Sequence, residues 1–115
     1  QITLTAADGE KVSLRGSSIG GGNILITRVN GMEVSLTCQN PALIVLHKDA
    51  PGTIAAVTEL MAEYGVNICN FHLSRETKGG LAVMTIESDS HFSQELNERI
   101  NRLENIYSST MLERV

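Results

Sequence analysis

A chain of 115 residues, 42% of them apolar, has material for one domain and at most a short extra piece. Aromatic residues make up only 3% and Trp is absent, so the core must be built from Ile, Leu, Val, Met and Ala. The net charge of −4, with no run of Lys or Arg, argues against nucleic acid or an anionic membrane as partner, and no apolar stretch has membrane-spanning length.

The first 40 residues read as strands. Ile2-Thr3-Leu4-Thr5 alternates apolar and polar, Asp8-Gly9 supplies a two-residue turn, and Val12-Ser13-Leu14 alternates again on the return. Ile24-Leu25-Ile26-Thr27 leads into Asn30-Gly31, a strong hairpin signal, and Met32-Glu33-Val34-Ser35-Leu36 completes a second pair. Two short hairpins cannot easily bury two faces by themselves. This piece is expected to be the tail of a larger domain, or to lean on the remainder of the chain. A start at Gln1 rather than Met fits a piece of a longer polypeptide, or one trimmed by processing or tag removal.

After Pro41 the period changes. Ala42-Leu43-Ile44-Val45-Leu46 is a continuous apolar run, expected of a strand covered on one face by helices and paired on both sides. Ile54, Val57, Leu60, Met61 and Tyr64 recur at helical spacing, and Gly65 stops that helix. Residues 66–76 read as a strand, Lys78-Gly79-Gly80 as a turn, and residues 81–86 as a third strand. Phe92, Leu96, Ile100 and Leu103 form a second helical stripe, and residues 106–112 a fourth strand. The order β-α-β-β-α-β predicts an α+β, ferredoxin-like fold: four antiparallel strands with both helices on one face. The expected division is residues 1–40, a hairpin tail, and residues 41–115, the βαββαβ domain.

The run His47-Lys48-Asp49-Ala50-Pro51-Gly52, a helix, and then Tyr64-Gly65-Val66-Asn67-Ile68 resemble an ACT domain, a module that senses amino acids in metabolic enzymes. The resemblance covers residues 42–115, about two thirds of the chain. It implies a ligand site of His47, Asp49, Ala50, Pro51, Gly52 and Asn67. The chemistry agrees: a loop opening a helix offers backbone amides to a carboxylate, Gly52 leaves the approach clear, and a carboxamide at Asn67 both donates and accepts. Asp49 stands where the serine-binding pattern carries Asn, and an ionised Asp repels a carboxylate.

Arg15-Gly16-Ser17-Ser18-Ile19-Gly20-Gly21-Gly22-Asn23-Ile24 is similar to the end of the β subunit of bacterial iron–sulfur L-serine dehydratases. There an allosteric-substrate-binding domain precedes the ACT domain. Long-type D-3-phosphoglycerate dehydrogenases share that pair. The resemblance implies a non-catalytic regulatory region in a cytoplasmic lyase, binding a small amino acid such as L-serine. It also implies an α-subunit partner holding a 4Fe-4S cluster, and a homo-oligomer. A purely structural dimerisation module is the third reading.

Ser17, Ser18, Gly20, Gly21 and Gly22 bare backbone amides that suit an anion, or they form a plain linking turn; no helix pattern comes after them, as a P-loop would need. Cys38 and Cys69 lack metal-ligand spacing and read as small buried hydrophobes in a reducing compartment. His72 and His91 read as structural or exposed. Asp89-Ser90-His91-Phe92-Ser93 holds three residue types of a catalytic triad, but a helix N-cap explains it better.

Overall fold

The computed structural model describes residues 2–5, 11–18, 24–29, 31–36 and 40–112. In chain order the elements are β1 (Ile2–Thr5), β2 (Lys11–Ser18), β3 (Ile24–Val29), β4 (Met32–Leu36), β5 (Ala42–Lys48), α1 (Thr53–Glu63), β6 (Ile68–Arg75), β7 (Leu81–Ser88), α2 (Gln94–Asn101) and β8 (Ile106–Leu112).

The two expected hairpins are present and β2 also pairs with β3, so the first four strands form one antiparallel sheet in the order β1-β2-β3-β4. Val29 faces Met32 across a two-residue turn whose Gly31 has φ +82°, the left-handed value this hairpin type needs. Asp8, Gly9, Asn30 and Cys38 lie outside the described residues.

The second sheet runs β6-β7-β5-β8, every pair antiparallel, as the βαββαβ order requires. On one face Leu43, Val45, Met84 and Ile86 meet Val57, Leu60 and Met61 of α1 and Leu96 and Ile100 of α2. The other face is covered too. Ala42, Ile44, Leu46 and Val83 pack on Val29, Met32, Val34 and Leu36 of the first sheet. β5 is covered on one face by the helices and paired on both sides, as expected, and with the first sheet on its other face both faces of its unbroken apolar run are core. The first sheet does lean on the second.

Local chemistry sets the helix ends. Ser93 caps α2 by accepting the Leu96 N–H at 3.0 Å, which accounts for the triad-like residues before it. α1 ends in a Schellman motif: Gly65 N–H donates to the Ala62 carbonyl, Val66 N–H to that of Met61, and Gly65 has φ +68°. Cys69 is exposed, not buried, like Phe71 and Leu73 farther along the edge strand β6. Among the described residues no helix is long and apolar enough to cross a membrane.

Candidate functional site

His47 sits inside β5, 1% exposed, where a residue near a strand end is expected at the surface. Its Nδ1 is 3.0 Å from the Lys48 carbonyl oxygen, which can only accept, so Nδ1 carries the proton. In the neutral ring Nε2 is then a bare acceptor. It is buried and has no hydrogen-bond partner among the described residues. The hydroxyl of Thr53, in the first turn of α1 and 4% exposed, is in the same state. Such groups are costly unless something pairs with them.

Ala50, Pro51 and Gly52 carry the chain from β5 into α1. Gly52, the N-cap, has φ +85° and no side chain to cap the helix, and the first turn carries no acidic residue. The first-turn amides have no intrahelical acceptor and lie at the positive end of the helix. An anion-receptive helix start therefore carries one unpartnered buried polar group, Thr53 Oγ1, and lies one loop away from another, His47 Nε2.

Asp49 does not point its charge at that helix. Its Oδ2 accepts from Arg75 Nη1 and from the Gly79 N–H, each at 3.0 Å, and its own N–H donates to the Gly80 carbonyl at 2.8 Å. The Gly79 amide, then Arg75, hold its carboxyl below the ordinary value of 3.8. The repulsion expected of an ionised Asp is met by a cation the sequence did not single out. Asp49, Ala50, Pro51, Arg75, Lys78 and Gly79 line a shallow groove of about 350 Å³. The segment 78–80 reads in sequence only as a turn, and its Gly-Gly pair is the one local signal.

Asn67 is not part of that groove. The loop comes after Lys48, which pairs with Leu81, whereas Asn67 precedes Ile68, which pairs with Ser88. Seven steps along β7 separate these ends, roughly 23 Å at about 3.3 Å per residue. Within one chain Asn67 instead donates to Asp89 Oδ2 at 2.8 Å, on the exposed surface.

Ser17 and Ser18 end β2, paired with Leu25 and Ile24 of β3, and Gly20, Gly21 and Gly22 lie outside the described residues. His72 is half-buried in β6 and His91 is exposed before α2. Among the described residues no group of three His, Cys, Asp or Glu side chains could hold a metal ion.

Residues 43–108 match the AHAS small subunit-like ACT domain, more than half of the chain. The chain belongs to the ACT-domain family. It is 38% identical over 112 residues to a probable L-serine dehydratase β chain of Bacillus subtilis, covering 97% of this chain and 50% of that one. It is 23% identical over 113 residues to the L-serine dehydratase β chain of Peptoniphilus asaccharolyticus, covering 98% and 51%. A D-3-phosphoglycerate dehydrogenase of Methanocaldococcus jannaschii is 34% identical over 106 residues, 91% of this chain and 20% of the enzyme. The ACT chain thus spans about half of the dehydratase β chains it matches, and a fifth of that dehydrogenase.

Proposed function

We propose that this ACT chain is the amino-acid-binding regulatory region of an L-serine dehydratase, which deaminates serine to pyruvate and ammonia, and that it is not catalytic itself. In this reading residues 1–40 end an allosteric-substrate-binding domain and residues 41–115 are the ACT domain. The enzyme works in the cytoplasm, and its 4Fe-4S cluster belongs to the α subunit. The similarity to two dehydratase β chains along nearly the whole ACT chain supports it.

The observation that carries the ligand reading is the buried, unpartnered Nε2 of His47. As an acceptor it suits a hydroxyl or ammonium donor, while the first-turn amides of α1 suit a carboxylate. A small hydroxy amino acid presents both. L-serine is the ligand of choice.

The second half of the site, Asn67, would come from a second copy. Asn101 bonds both backbone groups of Ser109, so the outer side of β8 is closed there. β6, at the other edge, has no outer neighbour among the described strands and leaves Phe71 36% and Leu73 41% exposed. Antiparallel pairing of two β6 strands about a two-fold axis sets the start of one beside the end of the other. That brings each Asn67 toward the partner's 49–52 loop.

Calorimetry with L-serine, joined to sedimentation across a protein dilution series, tests this. Serine should bind and should tighten the dimer, and Asn67→Ala should weaken binding about ten- to a hundredfold with the fold intact. No heat with millimolar serine or other small amino acids would leave dimerisation as the function. The same region of a D-3-phosphoglycerate dehydrogenase is the second reading, favoured by the 34% identity; the coding sequence upstream of Gln1 separates the two.

A further inference from the structure

The 49–52 loop is held from outside itself. Its helix has no side-chain cap, and the Thr53 N–H reaches the Ala50 carbonyl only at a long 3.4 Å. What fixes it is Asp49, tied at three points to the end of β6 and the hairpin between β6 and β7. The tip of that hairpin is shaped for the task. Gly79 has φ +76°, a left-handed conformation that L side chains rarely adopt, and its N–H meets the Asp49 carboxylate. A side chain at Gly80 would collide with Thr77 Oγ1, and Gly80 itself donates to the Thr77 carbonyl at 3.0 Å while its own carbonyl receives the Asp49 N–H.

We propose that Arg75 and the Gly79–Gly80 tip are positioning residues that latch the ligand loop in its binding form and link its occupancy to β6. The linkage comes from connectivity, since Arg75 is the last residue of the edge strand and grips the loop directly. A ligand that favours the latched loop favours the matching position of the β6 end, and pairing at that edge favours the ligand in return. This rests on the amino-acid site proposed above, but the latch can be read without any ligand.

The test uses the whole chain, labelled with 15N, as wild type, Arg75→Met, Arg75→Lys and Asp49→Asn. Without ligand, Arg75→Met and Asp49→Asn should lower the heteronuclear NOE of amides 50–54 and shift the Gly79 amide, while Arg75→Lys stays close to wild type. With L-serine, Arg75→Met should weaken binding about three- to fivefold, in line with an exposed ion pair, and Arg75→Lys should recover most of it. Unchanged NOEs in Arg75→Met overturn the latch. So does a loss of order that extends through β5 and β8, which would make Arg75 a general prop. If wild type binds no serine but the NOE pattern holds, the latch stands and the proposed ligand falls.

Discussion

The carboxamide of Asn101 is bonded to both backbone groups of Ser109: Nδ2 donates to the Ser109 carbonyl at 3.1 Å, and Oδ1 accepts the Ser109 N–H at 2.8 Å. Ser109 lies opposite Val45 of β5, and because its N–H and C=O both go to Asn101 they point away from β5, to the side where a further strand would bond. Asn97 adds to the clasp, its Oδ1 accepting from the Ser109 hydroxyl at 2.6 Å. One helix thereby blocks the β8 edge of the sheet at Ser109.

Removing the clasp should cost stability and specificity together. Asn101→Ala leaves a strand N–H and C=O without protein partners, a loss of about 1–3 kcal/mol in urea unfolding. It should also produce species larger than a dimer in sedimentation, because two open edges allow sheets to continue end to end. A variant that unfolds at the wild-type midpoint and never exceeds the wild-type mass would remove the clasp's role.

The βαββαβ order was readable because each element carries its own period and its own stop signal. The spacing of Leu60, Met61 and Tyr64 before Gly65 names a helix and its end without any tertiary knowledge. The site was less readable. His47 looks like a surface residue in sequence, because it stands one residue from the end of its strand and only the fold buries it. Asn67 and the 49–52 loop each carry polar groups that suit a ligand, but only strand register reveals that one chain holds them apart. Arg75 carries no sequence signal at all; its meaning comes from a hairpin folding back onto Asp49.

Leu36 tests whether the two sheets are one cooperative unit. It is fully buried among Ala42, Ile44, Leu46 and Val83 of the second sheet and its own neighbours in the first. Leu36→Ala should cost about 2–5 kcal/mol, with a single transition reported alike by circular dichroism and Tyr64 or Tyr107 fluorescence. Two separated transitions would mean that the sheets unfold independently.

Cys69 is exposed, yet its thiol should react slowly. Local desolvation, then the charges of Asp89 and Glu87, push its pKa above the ordinary 9.0, so little thiolate exists near neutrality. Its rate with iodoacetamide should still be climbing past pH 9 and should rise at about pH 8 in Asp89→Asn. A rate that levels off below pH 9 would contradict the assigned surroundings.

The Asp49 latch has a defined pH window. The Gly79 amide and Arg75 favour the ionised carboxylate, so the folded value lies below the ordinary 3.8. Its contribution is full above that ordinary value and is lost as pH falls through the lower, folded one. The difference in urea midpoint between wild type and Asp49→Asn should be flat from about pH 5 to 8 and shrink as pH falls below the ordinary 3.8. A difference that varies across the neutral range would point to another group.

His47 offers the sharpest separation of binding from stability. Its Nδ1 is satisfied by the Lys48 carbonyl, but its buried Nε2 has no hydrogen-bond partner among the described residues, and neither has Thr53 Oγ1. A polar atom kept in that state weakens the fold unless a ligand pairs with it. His47→Leu removes the orphan acceptor while keeping apolar bulk on the same face as Leu43 and Val45. It should therefore leave the ligand-free protein as stable as wild type or more so, by up to about 1–2 kcal/mol. The same change should abolish serine binding in calorimetry and with it the rise in melting temperature that serine gives the wild type. A site used for binding predicts opposite signs in the two measurements. If His47→Leu destabilises the free chain by several kcal/mol, the imidazole is a packing element, and the ligand reading loses the observation on which it stands.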